Sequence, residues 1–594
     1  MIDKTKVLIT AICKNEIEQQ QQLNFFIGNT FNLSALGISK IDFRTVIRSE
    51  KIAETYNQIQ NSTDAKYKIF LTAPLVVFDP NIIDELLKNF FIYPNVGIVG
   101  LLGSEMPISG DYTKAQNFYG SCYCFSEDET ESRSYVGRMP VLYQSVHMID
   151  SGFFATSENI SFDEEVGEDF VIAAQCCRYR RAGYDVGVTY LEGIKIAFSE
   201  NHCVYSPKND TSNYERQLKQ FVTLYKDVVT PLVSICIPTY NQPQFCELAL
   251  QSALAQTYPN IEIIVGDDST NESTKEMIQP YLNQYDNIKY FYHNGSLGKK
   301  GGKNATFIIN KSTGKYINLL FHDDLITVDK ISRMMSYFIR DLENRITLAV
   351  SARITINEKD EFRGRFNPYQ PLTDEILSGN EVGRRILFSN INFLGELSTS
   401  LIKRSSLLVK DPETGEKFFD LGIFCGVKDV AYGDIGTWLN LLKNGGECLF
   451  LKDSLSAFRQ HPAQNTYDPA MRVRLMIEMF NYITTAWLNN LYLKDFDEYK
   501  FCCKHWVFFF DSNYVPPTTD DESDDLKFIR ATLLELRKHI VADEFSEALD
   551  CSIRFLLDVL EERNSISPLI RKSKITSLWE KANDGIMLHG EQRC

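Results

Sequence analysis

Four short segments between residues 261 and 466 gather acids, histidines and an arginine at places where a sheet would present them. In IEIIVGDDST at 261–270, Asp267 and Asp268 follow an aliphatic run and a glycine. Acids at the carboxyl end of a buried strand face the crevice where open α/β sheets bind ligands. There they can accept hydrogen bonds from a base or a ribose, or serve as an Asx turn before the helix that starts near Glu272. In NLLFHDDLIT at 318–327, Asp323 and Asp324 close another apolar strand with His322 beside them. Carboxylates on a rigid strand end suit a hard divalent cation, magnesium or manganese, which neutralises a diphosphate. The alternative is a helix cap, because Asp324 precedes an amphipathic run.

The third segment, GDIGTWLNLLKNGGECLF at 433–450, sets Asp434 at the head of an apolar-periodic stretch. An aspartate there is placed to act as a general base if the helix faces the crevice, and as an ordinary cap if not. The fourth, FRQHPAQNT at 458–466, joins Arg459 and His461 just after a strand-like run. Imidazole is a metal ligand, and guanidinium holds phosphate or carboxylate.

Positioning these groups requires a parallel sheet with crossover helices, and residues 1 to about 460 alternate apolar runs with amphipathic stretches in that manner. The pattern occurs twice. KVLITAICKN at 6–15 pairs with LVSICIPTYN at 232–241, and KYKIFLTAPLVVF at 66–78 pairs with GKYINLLFHDDLIT at 314–327. A polar stretch with a helical pattern at 205–231 separates the two copies, and Pro231 opens the next strand. The expected organisation is therefore 1–228, 229–467 and a helical carboxyl-terminal region at 468–594, where apolar residues recur at three- and four-residue spacings. The segment VPPTTDDESDD at 515–525 reads as a solvated linker.

Composition narrows the classes further. The chain has 594 residues, 44% of them hydrophobic, which is enough for several packed cores and excludes a disulfide-stapled miniature. A net charge of −16 argues against nucleic acid as the partner. The 14 cysteines show no paired CxxC spacing, so buried thiols are expected rather than a zinc site. No secretory leader or spanning stretch is evident, which points to the cytoplasm, with attachment to the inner membrane face an open possibility.

Taken in order, PTYN (238–241), GDDST (266–270), GGKNATFIINKSTGKYINLLFHDD (301–324), GDIGTWLNLLKNG (433–445) and FRQHPAQNT resemble the family 2 glycosyltransferases of the GT-A fold. The resemblance covers about 231–467. It implies a nucleotide-diphosphate sugar donor, a divalent metal (Mn2+ or Mg2+), and inverting transfer to a glycan, lipid-linked or protein acceptor. On that reading Pro238, Thr239, Asn241, Asp267 and Asp268 line the donor pocket. Lys303 and Asn304 stand at the family's basic residue and asparagine, and Arg459 also serves the donor. Asp323 matches the last aspartate of the DxD metal motif, His461 a histidine that completes the metal site in some members, and Asp434 the base. Two departures are visible: Phe321 replaces the first aspartate of DxD, and Gly433 stands where many relatives carry glutamate.

The first copy resembles an amino-terminal glycosyltransferase-like variant of the same fold through AETYNQI, NVGIVGLLGS, MIDSGFFATSENISFDEEVGEDF and RAGYDVGV. Its metal motif is replaced by Thr72, Ala73 and Pro74, while Asp150, Glu168 and Asp169 survive at acceptor-side and base positions. Two tandem GT-A-like domains followed by helices are thus expected, with a second active transferase, a catalytically degenerate scaffold and a homo-oligomer as open alternatives.

Overall fold

The computed structural model describes residues 2–505. Outside the description are 29–32, 126–131, 139–141, 191–195, 200–209, 298–300, 366–368, 411–416, 429–432 and 462–478, scattered single or paired positions, and 506–594. Packing divides the chain into two units. The first is Met1–Leu232 with Tyr258–Asn260 and Ser332–Asn344, and the second holds the remaining described segments.

The first unit is built on β1 (Asp3–Cys13), β2 (Lys40–Ile47), α1 (Ile52–Asn61), β3 (Ala65–Thr72), α2 (Ile82–Ile92), β4 (Val96–Gly100), β5 (Phe153–Thr156), α3 (Val171–Arg181) and β6 (Asp185–Thr189). Its main sheet runs β2-β1-β3-β5-β4-β6, with Tyr143–Ser145 at the far edge. The pairs β1–β2, β1–β3 and β4–β6 are parallel, and β5 is antiparallel to both β3 and β4. A second sheet includes Phe118–Phe125 and Ser132–Val136.

The second unit comprises β7 (Val233–Thr239), α4 (Pro243–Leu254), β8 (Ile261–Asp267), β9 (Ile288–Tyr292), α5 (Gly302–Lys311), β10 (Tyr316–Leu319), β11 (Leu325–Ile326), α6 (Lys330–Arg340), β12 (Ile346–Asn357), β13 (Ser400–Lys403), α7 (Gly433–Leu442) and β14 (Glu447–Gln460). Most of α6, from Ser332, is grouped with the first unit. The sheet runs β9-β8-β7-β10-β13-β12-β14-β11. Here β7–β8, β7–β10 and β12–β14 are parallel, while β13 is antiparallel to β10 and β12. Six strands therefore recur in the same order and the same directions in both units, as the repeated sequence runs predict.

The reason lies in the strands themselves. Every residue of β7 is buried, which requires cover on both faces and hence crossover helices. Pro243 occupies the first turn of α4, where a missing N–H costs nothing. The core of the second unit gathers Cys236, Ile317, Leu348, Trp438 and Tyr482. Of the expected carboxyl-terminal helical region, 482–487 and parts of 497–505 are helical, and 506–594 lie outside the described residues.

Candidate active site

Most candidate residues of the second unit lie at or just past the carboxyl ends of β7, β8, β10 and β14, while Lys303 and Asn304 stand in the first turn of α5 and Asp434 in that of α7. Beyond β7, Asn241 adopts a left-handed backbone (φ 51°), and its N–H donates to Ser269 Oγ at 2.8 Å. Its Oδ1 accepts the Thr270 N–H at 3.0 Å, so Asn241 latches the loop after β7 to the loop after β8. Pro238 is buried, and its carbonyl lies 3.2 Å from His322 Nδ1. His322 Nε2 meets Gln242 Oε1 at 3.0 Å, and burial pulls this imidazole below its ordinary pKa. Thr239 is also buried, and its carbonyl accepts the Asp268 N–H at 3.0 Å.

The two acids after β8 divide their work. Asp267 Oδ1 accepts the Ser269 N–H at 2.8 Å, an Asx turn, and Oδ2 accepts the Tyr290 hydroxyl at 2.6 Å. Asp268 accepts the Leu297 N–H on Oδ2 at 3.2 Å, while its buried Oδ1 has no hydrogen-bond partner among the described residues. Burial pushes the Asp268 carboxyl above its usual range, and the Leu297 N–H offsets only part of that. Of the pair, Asp268 keeps an oxygen for a ligand.

Lys303 is exposed on the first turn of α5. Asn304, next to it, is fully buried and donates from Nδ2 to the Gly266 carbonyl at 2.7 Å. A Cβ on Gly266 would stand 2.1 Å from Asn304 Oδ1, so the glycine is what allows α5 to close on β8. In this structure Asn304 fastens a helix to a strand.

Past β10 the chain turns through Phe321–Asp324. Phe321 packs against the apolar core, and its N–H donates to Ser398 Oγ at 3.0 Å. Asp323 Oδ2 faces His461 Nε2 at 3.2 Å, joining the end of β10 to the residue after β14. Arg459 is wholly buried, and its Nε donates to the Asp323 carbonyl at 2.8 Å. Its own N–H reaches Asp324 Oδ1 at 3.1 Å, and its guanidinium lies 4.6 Å over the Phe245 ring. Burial, then the neighbouring charge of Asp323, drives the Asp324 carboxyl well above its usual range. Asp324 is thus a buried strut, bonded to β14 rather than capping α6.

Asp434 sits half-buried in the first turn of α7. Ile435, Trp438, Leu439 and Leu442 of the same helix are buried at i, i+3, i+4 and i+7, which fixes the helix on the core. Asp434 lies beside that stripe rather than within it.

Asp323 and His461 together make a carboxylate–imidazole donor pair that fits a divalent cation whose other positions are filled by diphosphate and water. Among the described residues no group of three or more His, Cys, Asp or Glu side chains is arranged to hold a metal. Two further crevice features are not evident from the sequence. Glu396 pairs with buried Arg353 at 2.7 Å, and Lys330 is fully buried behind the turn. Lys330, Met334 and Phe338 recur four residues apart on the buried stripe of α6, and that spacing is the available signal for the lysine.

In the first unit, Arg48 takes the place of Asp268: its N–H donates to the Cys13 carbonyl at 2.9 Å, the bond Asp268 makes to Thr239. Thr72 donates its N–H to the Gly152 carbonyl at 2.9 Å and its hydroxyl to the Ser151 carbonyl at 3.1 Å. Asp150 is buried and accepts the Gly152 N–H at 2.8 Å. Glu168 accepts the first amide of α1, Ile52 N–H, at 3.0 Å. Ala73 and Pro74 lie outside the described residues.

Comparison with known families accounts for this doubling. Residues 234–396 match the model of glycosyl transferase family 2, and residues 17–225 match that of a glycosyltransferase-like family. This chain carries two glycosyltransferase-family domains in tandem. An uncharacterized glycosyltransferase of Rickettsia felis is 31% identical over 218 residues, 36% of this chain and 32% of the relative. The Campylobacter jejuni GalNAc(5)-diNAcBac-PP-undecaprenol beta-1,3-glucosyltransferase is 32% identical over 106 residues, 18% of this chain and 34% of the relative. The match covers 21% to 32% of the length of the first three curated relatives. Among solved structures, S. aureus TarS 1–349 in complex with UDP-GlcNAc aligns with TM-score 0.39 at 16% identity, over 60% of this chain and 92% of that one. A mannosyltransferase of Pyrobaculum calidifontis in complex with GDP-Man and Mn2+ aligns with TM-score 0.31 at 12% identity, over 60% of this chain and 87% of that one. Among the described residues of this tandem glycosyltransferase chain, no helix is long and apolar enough to cross a membrane.

Proposed function

We propose that the chain is an inverting glycosyltransferase whose donor chemistry resides in the second domain. The observation that carries this reading is the Asp323–His461 pair at 3.2 Å on the same strand ends as Asp268, whose buried Oδ1 awaits a donor. Asp268 accepts an N–H or O–H of the nucleoside, and Pro238, Thr239 and the latch at Asn241 shape the pocket around it. Lys303, exposed at the head of α5, lends positive charge on the donor side. A divalent cation, when bound through Asp323 and His461, supplies neutralisation of the donor diphosphate. Asp434 takes the proton of an acceptor hydroxyl as its oxygen bonds to the anomeric carbon. The bond from that carbon to the diphosphate breaks with its electron pair leaving on the nucleotide, so the configuration inverts.

The acceptor in this reading is a glycan, a lipid-linked sugar or a protein side chain, met at the cytoplasmic face of the membrane. The test is nucleoside diphosphate release by the full chain from a panel of nucleotide sugars. Absence of release with every donor and acceptor, with binding intact, would support a non-catalytic sugar-binding scaffold instead.

For the first domain we propose a role without metal-dependent turnover. Strand β3, Ala65–Thr72, ends without a carboxylate, whereas the turn after β10 carries Asp323 and Asp324.

A further inference from the structure

The fully buried lysine of α6 has no place in the chemistry above. Lys330 has no exposed surface, and a lysine is almost never buried without a reason in its surroundings. Its ammonium donates to the Ser398 carbonyl and, at 2.9 Å, to Ser456 Oγ. Ser398 in turn accepts the Phe321 N–H on its hydroxyl, at 3.0 Å, and hydrogen-bonds the Asp324 carboxyl. Lys330 therefore grips the residue that holds both ends of the turn carrying Asp323. It also ties that residue to β14, the strand that delivers Arg459 and His461.

The first domain supplies an internal control. There α2 follows β3 through a short extended piece, Leu75–Val77, as α6 follows β10 through β11. Counted from Thr72–Pro74, which stand where Phe321–Asp323 do, the position of Lys330 is taken by Asn81, which is exposed. The first domain thus has no buried lysine at this position, and the sequence before it, Thr72–Pro74, carries no acid. In the second domain the turn carries Asp323 and Asp324, Glu396 lies within electrostatic reach of both, and the buried position is a lysine whose pKa burial pulls down to about 7. The buried lysine and the acidic turn therefore occur together in the second domain and are both missing from the first.

We infer that Lys330 is a positioning residue for Asp323, acting through Ser398 to hold the turn Phe321–Asp324 in the orientation that presents the carboxylate to His461. This rests on the reading of the second domain as the donor site, but it can be tested without donor or metal.

The experiment is hydrogen–deuterium exchange on the full chain, wild type against K330M, read on the peptide covering 316–327 beside a thermal melt. The expected result is a melting temperature no lower than wild type by more than a few degrees, with exchange at 321–324 accelerated roughly tenfold or more and distant peptides unchanged. Unchanged exchange at 321–324 in folded K330M overturns the inference. Should K330M not fold, S456A removes only the second partner of the ammonium, and it must raise exchange at the same turn; unaltered exchange there also overturns it. Nucleoside diphosphate release is then measured on the same proteins. Accelerated turn exchange without any release by wild type would support the positioning role and remove the transferase reading, so the two claims fail separately.

Discussion

The Nε–H of Arg459 meets the main-chain carbonyl of Asp323 at 2.8 Å, from a side chain with no exposed surface. A residue that sequence reasoning assigns to the donor thus has its described contacts with the protein. It bonds Asp323 and the Asn357 carbonyl at 3.0 Å, and pairs with Asp360 at 2.7 Å. Lysine cannot reproduce this planar fork. Arg459→Lys is expected to lower donor turnover about 10- to 100-fold, as loss of a supporting bond behind a ligand does. The check is nucleoside diphosphate release alongside urea unfolding. Turnover at the wild-type level in a folded variant would mean that Asp323 is held without it.

Asp323→Ala should abolish transfer while leaving the melting temperature nearly unchanged, because this carboxylate sits at a strand end and not in the core. His461→Ala should raise the manganese concentration needed for half-maximal activity. A chelator should silence the wild type; activity undiminished by chelation would remove the metal from the proposal.

Asp434→Asn keeps size and hydrogen bonding but cannot take a proton, so the chemical step should fall by about two to four orders of magnitude with donor affinity preserved. Calorimetry with donor and single-turnover kinetics separate the two effects. Near-normal turnover would take the base role from Asp434.

Acid sensitivity should appear at Glu262 of β8. This buried carboxylate accepts Ser234 Oγ at 2.7 Å, the Thr313 N–H at 2.6 Å and the Lys289 ammonium at 2.8 Å. Burial opposes its ionisation, but these partners outweigh it and bring the pKa down to about 2. A depressed carboxyl stabilises the fold above its unfolded value near 4.5, and that contribution is lost as pH falls toward 2. Glu262→Gln should therefore cost roughly 2 to 3 kcal/mol at pH 7 and little at pH 2. Urea unfolding across that range measures it, and an equal cost at both ends would contradict the assignment.

The two domains should respond unequally to loss of acid. Glu168→Gln and Asp169→Asn in the first are expected to leave manganese-dependent donor hydrolysis within about twofold of wild type, whereas Asp323→Ala in the second removes it. Loss of hydrolysis in either first-domain variant, with the fold intact by melting, would move donor chemistry there.

The duplicated sheet is legible in the sequence because its strands are continuous apolar runs ending in polar turns, and such runs admit few alternatives once two copies align. Asp323 and His461 are legible as a pair for the same reason: each stands just past a strand whose end must face the crevice. The sequence does not decide between Asp267 and Asp268, since that division depends on the Tyr290 hydroxyl, which arrives from a neighbouring strand. Asn304 reads toward the donor, but its place against Gly266 comes from how closely α5 approaches β8, a distance no spacing reveals. Lys330 is hidden because a lysine on an apolar stripe looks like a stripe interrupted. Only the three-dimensional neighbourhood of Ser398 and Ser456 explains it.

The location of β14 bears on how the protein comes into being. This strand lies between β12 and β11, its Ala457 pairs with Ile354 on one side and Leu325 on the other, and Arg459 and His461 come at its end. During synthesis a ribosome releases the amino-terminal domain, then Asp268, then the Asp323 turn, and only more than a hundred residues later the strand that braces that turn. Nascent chains stalled before residue 447 hold the sheet without its inserted strand. Acquisition of the assembled crevice is therefore a late event in translation, set by the slow closure of a long-range pairing.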